Sequence, residues 1–210
     1  MLFPGLEKSV RIGDLQGNSF LVMSANGYPF GKKMIADVLS DVQNHGTIDH
    51  LFVCVDAEED AVDARYQEVD NVIKQHVATG TLFVRYSIIV QNRTIETWFL
   101  GNRRIISRSP QGEALRTCLQ HYSVLQDDPE DLPVPNDFFG NHAMYHAHYL
   151  NAVFSEHNMT YRKSSPGEVL KESYLRQLVL RTRTTGHLAT LNHFFTVCQT
   201  LGGDPSMLVP

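Results

Sequence analysis

Residues 50–55, HLFVCV, form a short continuous apolar run that stops at an acid, Asp56. Apolar side chains on successive residues face both sides of a strand, so such a run calls for cover on both faces. Strands covered on both faces belong to parallel sheets whose crossovers are helices. The neighbouring segments supply those helices. Over 33–44, Met34, Ile35, Val38, Leu39 and Val42 recur at helical spacing. Over 62–77, Tyr66, Val69, Val72, Ile73 and His76 share one stripe. Residues 81–90, TLFVRYSIIV, are rich in β-branched and aromatic side chains and read as a strand. Residues 18–24, NSFLVMS, read as another. The order strand–helix–strand–helix–strand predicts an α/β fold, a parallel sheet with right-handed crossovers flanked by helices. In such sheets the site lies at the carboxyl ends of the strands.

Residues 1–17 are punctuated by Pro4, Gly5, Gly13 and Gly17 and read as an edge strand or coil. Residues 94–100 begin a helix or end a strand, and 111–120 read as a helix. The Pro- and Asp-rich stretch 127–140 reads as a loop. Helical patterns then fill 141–157, 166–182 and 186–201. The expected organisation is an α/β core over 1–126, a loop over 127–140 and a helical C-terminal extension over 141–210, packed on the core.

The 210 residues are 42% apolar, with 18 Lys+Arg against 23 Asp+Glu and a formal charge of -5. That supports a real core and argues against wholesale coating of nucleic acid, while leaving room for a local basic patch or an acidic metal site. No apolar run approaches the ~18–20 residues of a membrane span. The first residues lack a basic-then-apolar leader layout. The expectation is a soluble, cytoplasmic protein without membrane contact. Cys54, Cys118 and Cys198 form no CxxC pair, so neither a disulfide framework nor a cysteine zinc site is indicated.

The chemistry concentrates where the strands end. After Val55 come Asp56, Glu58, Glu59 and Asp60. Asp56 and Glu58 are two apart and would point the same way in extended chain. Converging carboxylates repel unless a cation lies between them, and oxygen-only donors suit Mg²⁺ or Mn²⁺. The same residues also fit an acidic helix start, with Asp56 as cap. Glu96 stands alone in an apolar stretch beside Trp98. A buried acid there must be paired, hydrogen-bonded or metal-bound. Because it follows a strand, it can reach the same rim as Asp56; a salt bridge to Arg93, Arg103 or Arg104 is the plainer alternative.

Arg103, Arg104 and Arg108, then Arg162 and Lys163, then Arg176, Arg181 and Arg183 offer a phosphate-tracking surface, or simply solvated faces. His142 and His146 share a helix face but lack the Glu of HExxH, since Ala143 stands in its place, and a catalytic zinc needs a third ligand. There is no GxxxxGK[ST], no GxGxxG after a strand and no GxSxG elbow.

Taken together, Asp56-Ala57-Glu58, Glu96-Thr97-Trp98-Phe99-Leu100 and Tyr161-Arg162-Lys163-Ser164-Ser165-Pro166 resemble, in order and type, the TOPRIM (topoisomerase-primase) fold. The likeness is to the small RloB-like and OLD-nuclease-like members found beside SMC/ABC-type ATPases in prokaryotic anti-phage defence loci. It runs over 18–201, through Tyr174, Leu175, Leu178 and Arg181 to His187, Leu188, Phe194 and Phe195. It implies a TOPRIM-like, Rossmann-like core at 1–126 and a Mg²⁺-dependent (or Mn²⁺-dependent) nuclease acting on DNA or RNA in a hetero-oligomer with an ATPase. Asp56, Glu58 and Glu96 would be metal ligands, Lys163 a further catalytic residue, and Arg103, Arg104, Arg162 and Lys163 the nucleic-acid contacts. The chain departs at the first strand's end, with Asn26-Gly27 where the family has Glu-Gly. Asn cannot carry a proton at neutral pH. A catalytically inactive scaffold binding an ATPase or nucleic acid is the alternative implied.

Overall fold

A computed structural model describes residues 15, 17, 20–24, 30–78 and 84–203. The described elements are α1 (Phe30–His45), β1 (His50–Asp56), α2 (Val62–Ala78), β2 (Arg85–Gln91), α3 (Ile95–Phe99), α4 (Glu113–His121), α5 (His142–Ser155), α6 (Glu172–Thr185) and α7 (Ala189–Thr200). Single 3-10 turns lie at Arg103–Ile105, Pro129–Asp131 and Gly167–Leu170. The fold is α/β: β1 and β2 pair as a two-stranded parallel sheet flanked by helices. Hydrogen bonds from Arg85 N–H to Asp49 O and from Ala57 N–H to Gln91 O bracket the ladder, so both carboxyl ends open on one rim.

The expected strand over 18–24 is not formed where it is described. Residues 20–24 carry no regular structure, and 18 and 19 lie outside the described residues. Its apolar run buries little: Phe20 and Val22 are exposed, and Leu21 packs with Val38, Ile48 and Leu51 on Val42 and Val84. Asn26 also lies outside the described residues.

The chain divides into two compact units. The first, 1–54 with 63–89, holds α1, most of β1, α2 and most of β2. Leu39, Ile73, Ile88 and Ile89 are its most buried side chains. The second, 55–62 with 90–210, holds both strand ends and α3 to α7, with Leu100, Leu115, Tyr149, Leu150, Phe154 and Leu188 buried. Charged side chains from loops cap its helices. Asp128 accepts from Leu188 N–H and Glu130 from Thr190 N–H, satisfying the free amides at the start of α7. Glu156 does the same for α4, accepting from Gln111 and Gly112 N–H. Asn141 accepts from Met144 N–H at the start of α5. Gly186, at φ 72, closes α6 in the left-handed conformation that glycine adopts without penalty.

Within this unit Arg181 is 3% exposed. Its Nη1 donates to the carbonyls of Leu100, Gly101 and Val124, and its Nη2 to that of Asp127. Burial, with Arg103 nearby, draws it down to about 10.

Candidate functional site at the strand ends

Asp56 is the last residue of β1, and the chain turns there. Glu58 adopts φ 53 and Arg93, just past β2, adopts φ 64. Both are left-handed conformations that a residue with a Cβ rarely takes. They are held by each other: Glu58 N–H donates to Arg93 O at 2.9 Å, and Arg93 Nη1 donates to Glu58 O at 3.0 Å. The extended chain therefore ends at Asp56, and the alternation that would aim Glu58 beside Asp56 does not hold. Glu58 is exposed at the turn. Nor are Glu58 and Glu59 the first turn of α2, which begins at Val62 with Asp63 as its acid.

Glu96 sits on α3, five residues beyond the end of β2, and is 1% exposed. Among the described residues no arginine holds it. Tyr161 Oη donates to Oε1 at 3.0 Å, Thr94 Oγ1 donates to Oε2 at 2.5 Å, and the Lys163 ammonium lies 3.6 Å from Oε2. Asp56 belongs to the same cluster. Among the described residues its Oδ1 is buried with no hydrogen-bond partner. Burial pushes its carboxyl up to about 6; the Lys163 ammonium pulls it down, and the Glu96 and Glu58 carboxylates push it up. Glu96, Thr94, Tyr161 and Lys163 thus meet, with Asp56 within their electrostatic reach, and all of them lie in the second unit.

Among the described residues the arrangement is one buried carboxylate, Glu96, a half-buried one, Asp56, with its Oδ1 buried, and Glu58 nearby, set against the Lys163 ammonium, whose side chain is 64% exposed. At 3.6 Å the ammonium is too distant for a good hydrogen bond. An orphaned buried carboxylate oxygen is costly unless a donor or a cation meets it. The oxygen-only donor pair fits Mg²⁺, which keeps several waters and takes one or two protein carboxylates plus substrate phosphate. Among the described residues no group of three or more His, Cys, Asp or Glu is placed to hold a metal by itself.

The basic residues are less gathered. Arg162 is exposed and bridges through its backbone to Ser165, forming the tight turn that carries Lys163. Arg103 donates to Gln126 O at 3.3 Å and neighbours Arg181. Arg104 is exposed, its N–H capped by Asn102 Oδ1. The structure brings Lys163 to Glu96 and shows no such contact for Arg103, Arg104 or Arg162.

The histidines are used otherwise than as a zinc pair. His146 is fully buried; its Nδ1 accepts from Thr97 Oγ1 at 2.7 Å and its Nε2 donates to Leu132 O at 3.2 Å. Both ring nitrogens are committed, and burial drives it down to about 4, so it is neutral. His142 pairs with Glu59, whose carboxylate also accepts the His142 N–H, tying the acidic turn to the start of α5. That N–H and imidazole hold Glu59 below its ordinary range despite partial burial.

Tyr161 and Thr94 are site residues that sequence reasoning gave no role. Spacing offered no signal, because Lys163 lies on the turn bracketed by Arg162 and Ser165 and alternation along extended chain does not relate it to Tyr161. No family model, curated protein or solved structure matches the chain.

Proposed function

We propose that this cluster is a divalent-cation-dependent phosphodiesterase centre of the TOPRIM type, cleaving nucleic acid. Its setting would be a prokaryotic anti-phage complex with an SMC/ABC-type ATPase subunit, as the sequence resemblance implies. The observation that carries the reading is Asp56 Oδ1, buried with no donor among the described residues, its carboxyl within the electrostatic reach of Glu96. Asp56 and Glu96 would hold Mg²⁺ or Mn²⁺, with Glu58 adding negative charge at the rim. The ion would polarise the scissile phosphate and supply a hydroxide at neutral pH. Lys163, on an exposed turn, has the reach to follow the phosphate and neutralise charge that develops there. Arg162 adds a second positive charge on the same turn.

The test is cleavage of plasmid DNA, single-stranded DNA and RNA by the purified protein in Mg²⁺ or Mn²⁺. Expected is cutting that EDTA and Asp56→Ala both abolish, with an unchanged circular dichroism spectrum. Cutting that survives Asp56→Ala refutes the assignment. Asn26, which cannot replace a general acid, favours a second reading: a non-catalytic scaffold that binds its ATPase or nucleic acid. Retained partner binding without divalent-dependent cleavage would select it.

A further inference from the structure

A carboxylate ligand is only as good as its orientation, and the orientation of Glu96 is set by two hydroxyls. Tyr161 donates to Oε1 at 3.0 Å and Thr94 to Oε2 at 2.5 Å, so each oxygen keeps lone-pair capacity while rotation of the group is blocked. Neither donor is free to wander. Tyr161 is 6% exposed; its ring packs edge-on against Phe99 and Phe154 at 5.8 and 6.3 Å. Its own N–H donates to Asn151 Oδ1 on α5 at 3.1 Å. Thr94 is fully buried, and its N–H donates to Thr97 Oγ1 at 3.4 Å. That same Thr97 hydroxyl donates to His146, so the support runs on into α5. The third neighbour, Lys163, is exposed and movable.

We propose that Tyr161, with Thr94, is the positioning residue that fixes the Glu96 carboxylate for a divalent ion, and so sets the affinity of the site. This rests on reading Asp56 and Glu96 as the ion-binding pair. The division of labour follows from burial. The hydroxyls are permanent partners, and the ammonium is the partner that an incoming ion displaces. Outer partners of this kind, hydrogen-bonded to a ligating group, are worth roughly 10–100-fold in metal affinity.

The experiment is Mn²⁺ titration, followed by electron paramagnetic resonance of the free ion, on the full chain and on Tyr161→Phe, Thr94→Val, Thr94→Ser and Asp56→Asn. Thermal melts run in parallel. Tyr161→Phe, which keeps the ring and its packing, is expected to bind Mn²⁺ roughly 10-fold or more weakly. Thr94→Val should fall likewise, Thr94→Ser should stay near wild type, and Asp56→Asn should lose binding. A purely packing role lowers the melting temperature of Tyr161→Phe and leaves its Mn²⁺ affinity unchanged; that outcome overturns the inference alone. A wild-type chain that takes up no Mn²⁺ overturns the divalent reading and this inference with it. Should Tyr161→Phe not fold, the contrast between Thr94→Val and Thr94→Ser decides.

Discussion

Replacing Asp56 by asparagine should make the protein more stable at neutral pH. Burial holds the native carboxyl at about 6, against 3.8 when unperturbed. At about 1.4 kcal/mol for each tenfold in proton affinity, that difference corresponds to roughly 3 kcal/mol. The native state binds this proton more tightly than the unfolded chain does. The stabilisation is therefore complete below pH 3.8 and is lost as pH rises through about 6. Above that, wild type carries a half-buried charge whose buried Oδ1 meets no donor among the described residues, and Asp56→Asn does not. The variant should be the more stable by up to about 3 kcal/mol at pH 8, with the gap closing towards pH 4. For a chain of this size that is roughly 6–12 °C in melting temperature. Thermal melts by circular dichroism from pH 4 to pH 8 read it directly. Mn²⁺ should raise the wild-type melting temperature at pH 8 and leave the variant unmoved. A wild type at least as stable as Asp56→Asn at pH 8, without metal, would refute the claim that this carboxylate is destabilised.

Two further outcomes follow from neighbouring groups. Lys163→Met removes the ammonium that now faces Glu96 and Asp56, so Mn²⁺ should bind several-fold more tightly; an unchanged or weaker dissociation constant argues that Lys163 does not occupy the ion's field. His146 is held neutral, drawn down to about 4 from 6.5, so its contribution is present above pH 6.5 and lost as pH falls through about 4. In an Asp56→Asn background, free of the opposing carboxyl, stability should fall by roughly 3 kcal/mol across that window, and His146→Gln should flatten the slope. An acid limb of equal steepness in both chains counts against it.

The pairing of β1 with β2 was legible because each is a short apolar run separated by a helical stripe. That Asp56 and Glu96 could influence each other was legible for the same reason: one ends β1, the other follows β2, and parallel strands end on one rim. Lys163 stood out only as one of a basic group and through the resemblance, neither of which names Glu96 as its partner. What could not be read was side-chain company. Nothing local to Tyr161 says that its hydroxyl reaches Glu96, because the contact is made by the docking of 161 between α3 and α5. Glu58 does not follow i, i+2 alternation because the turn takes a left-handed residue, a conformation that sequence assigns to glycine or asparagine and not to glutamate. The apolar run over 18–24 predicts a strand, yet 20–24 carry no regular structure, and Phe20 and Val22 face solvent.

Arg181 bears on how the second unit assembles. One guanidinium gathers carbonyls from residues 100–101, 124 and 127, and also meets His187 Nδ1. Those oxygens have that donor only once α6 has docked. Until then several loop segments expose acceptors that water alone can serve, and the arginine keeps its own hydration. Loss of solvent at this single point is a joint event for several stretches of chain, which couples the closing of the loops around α3 to the arrival of a helix some eighty residues later.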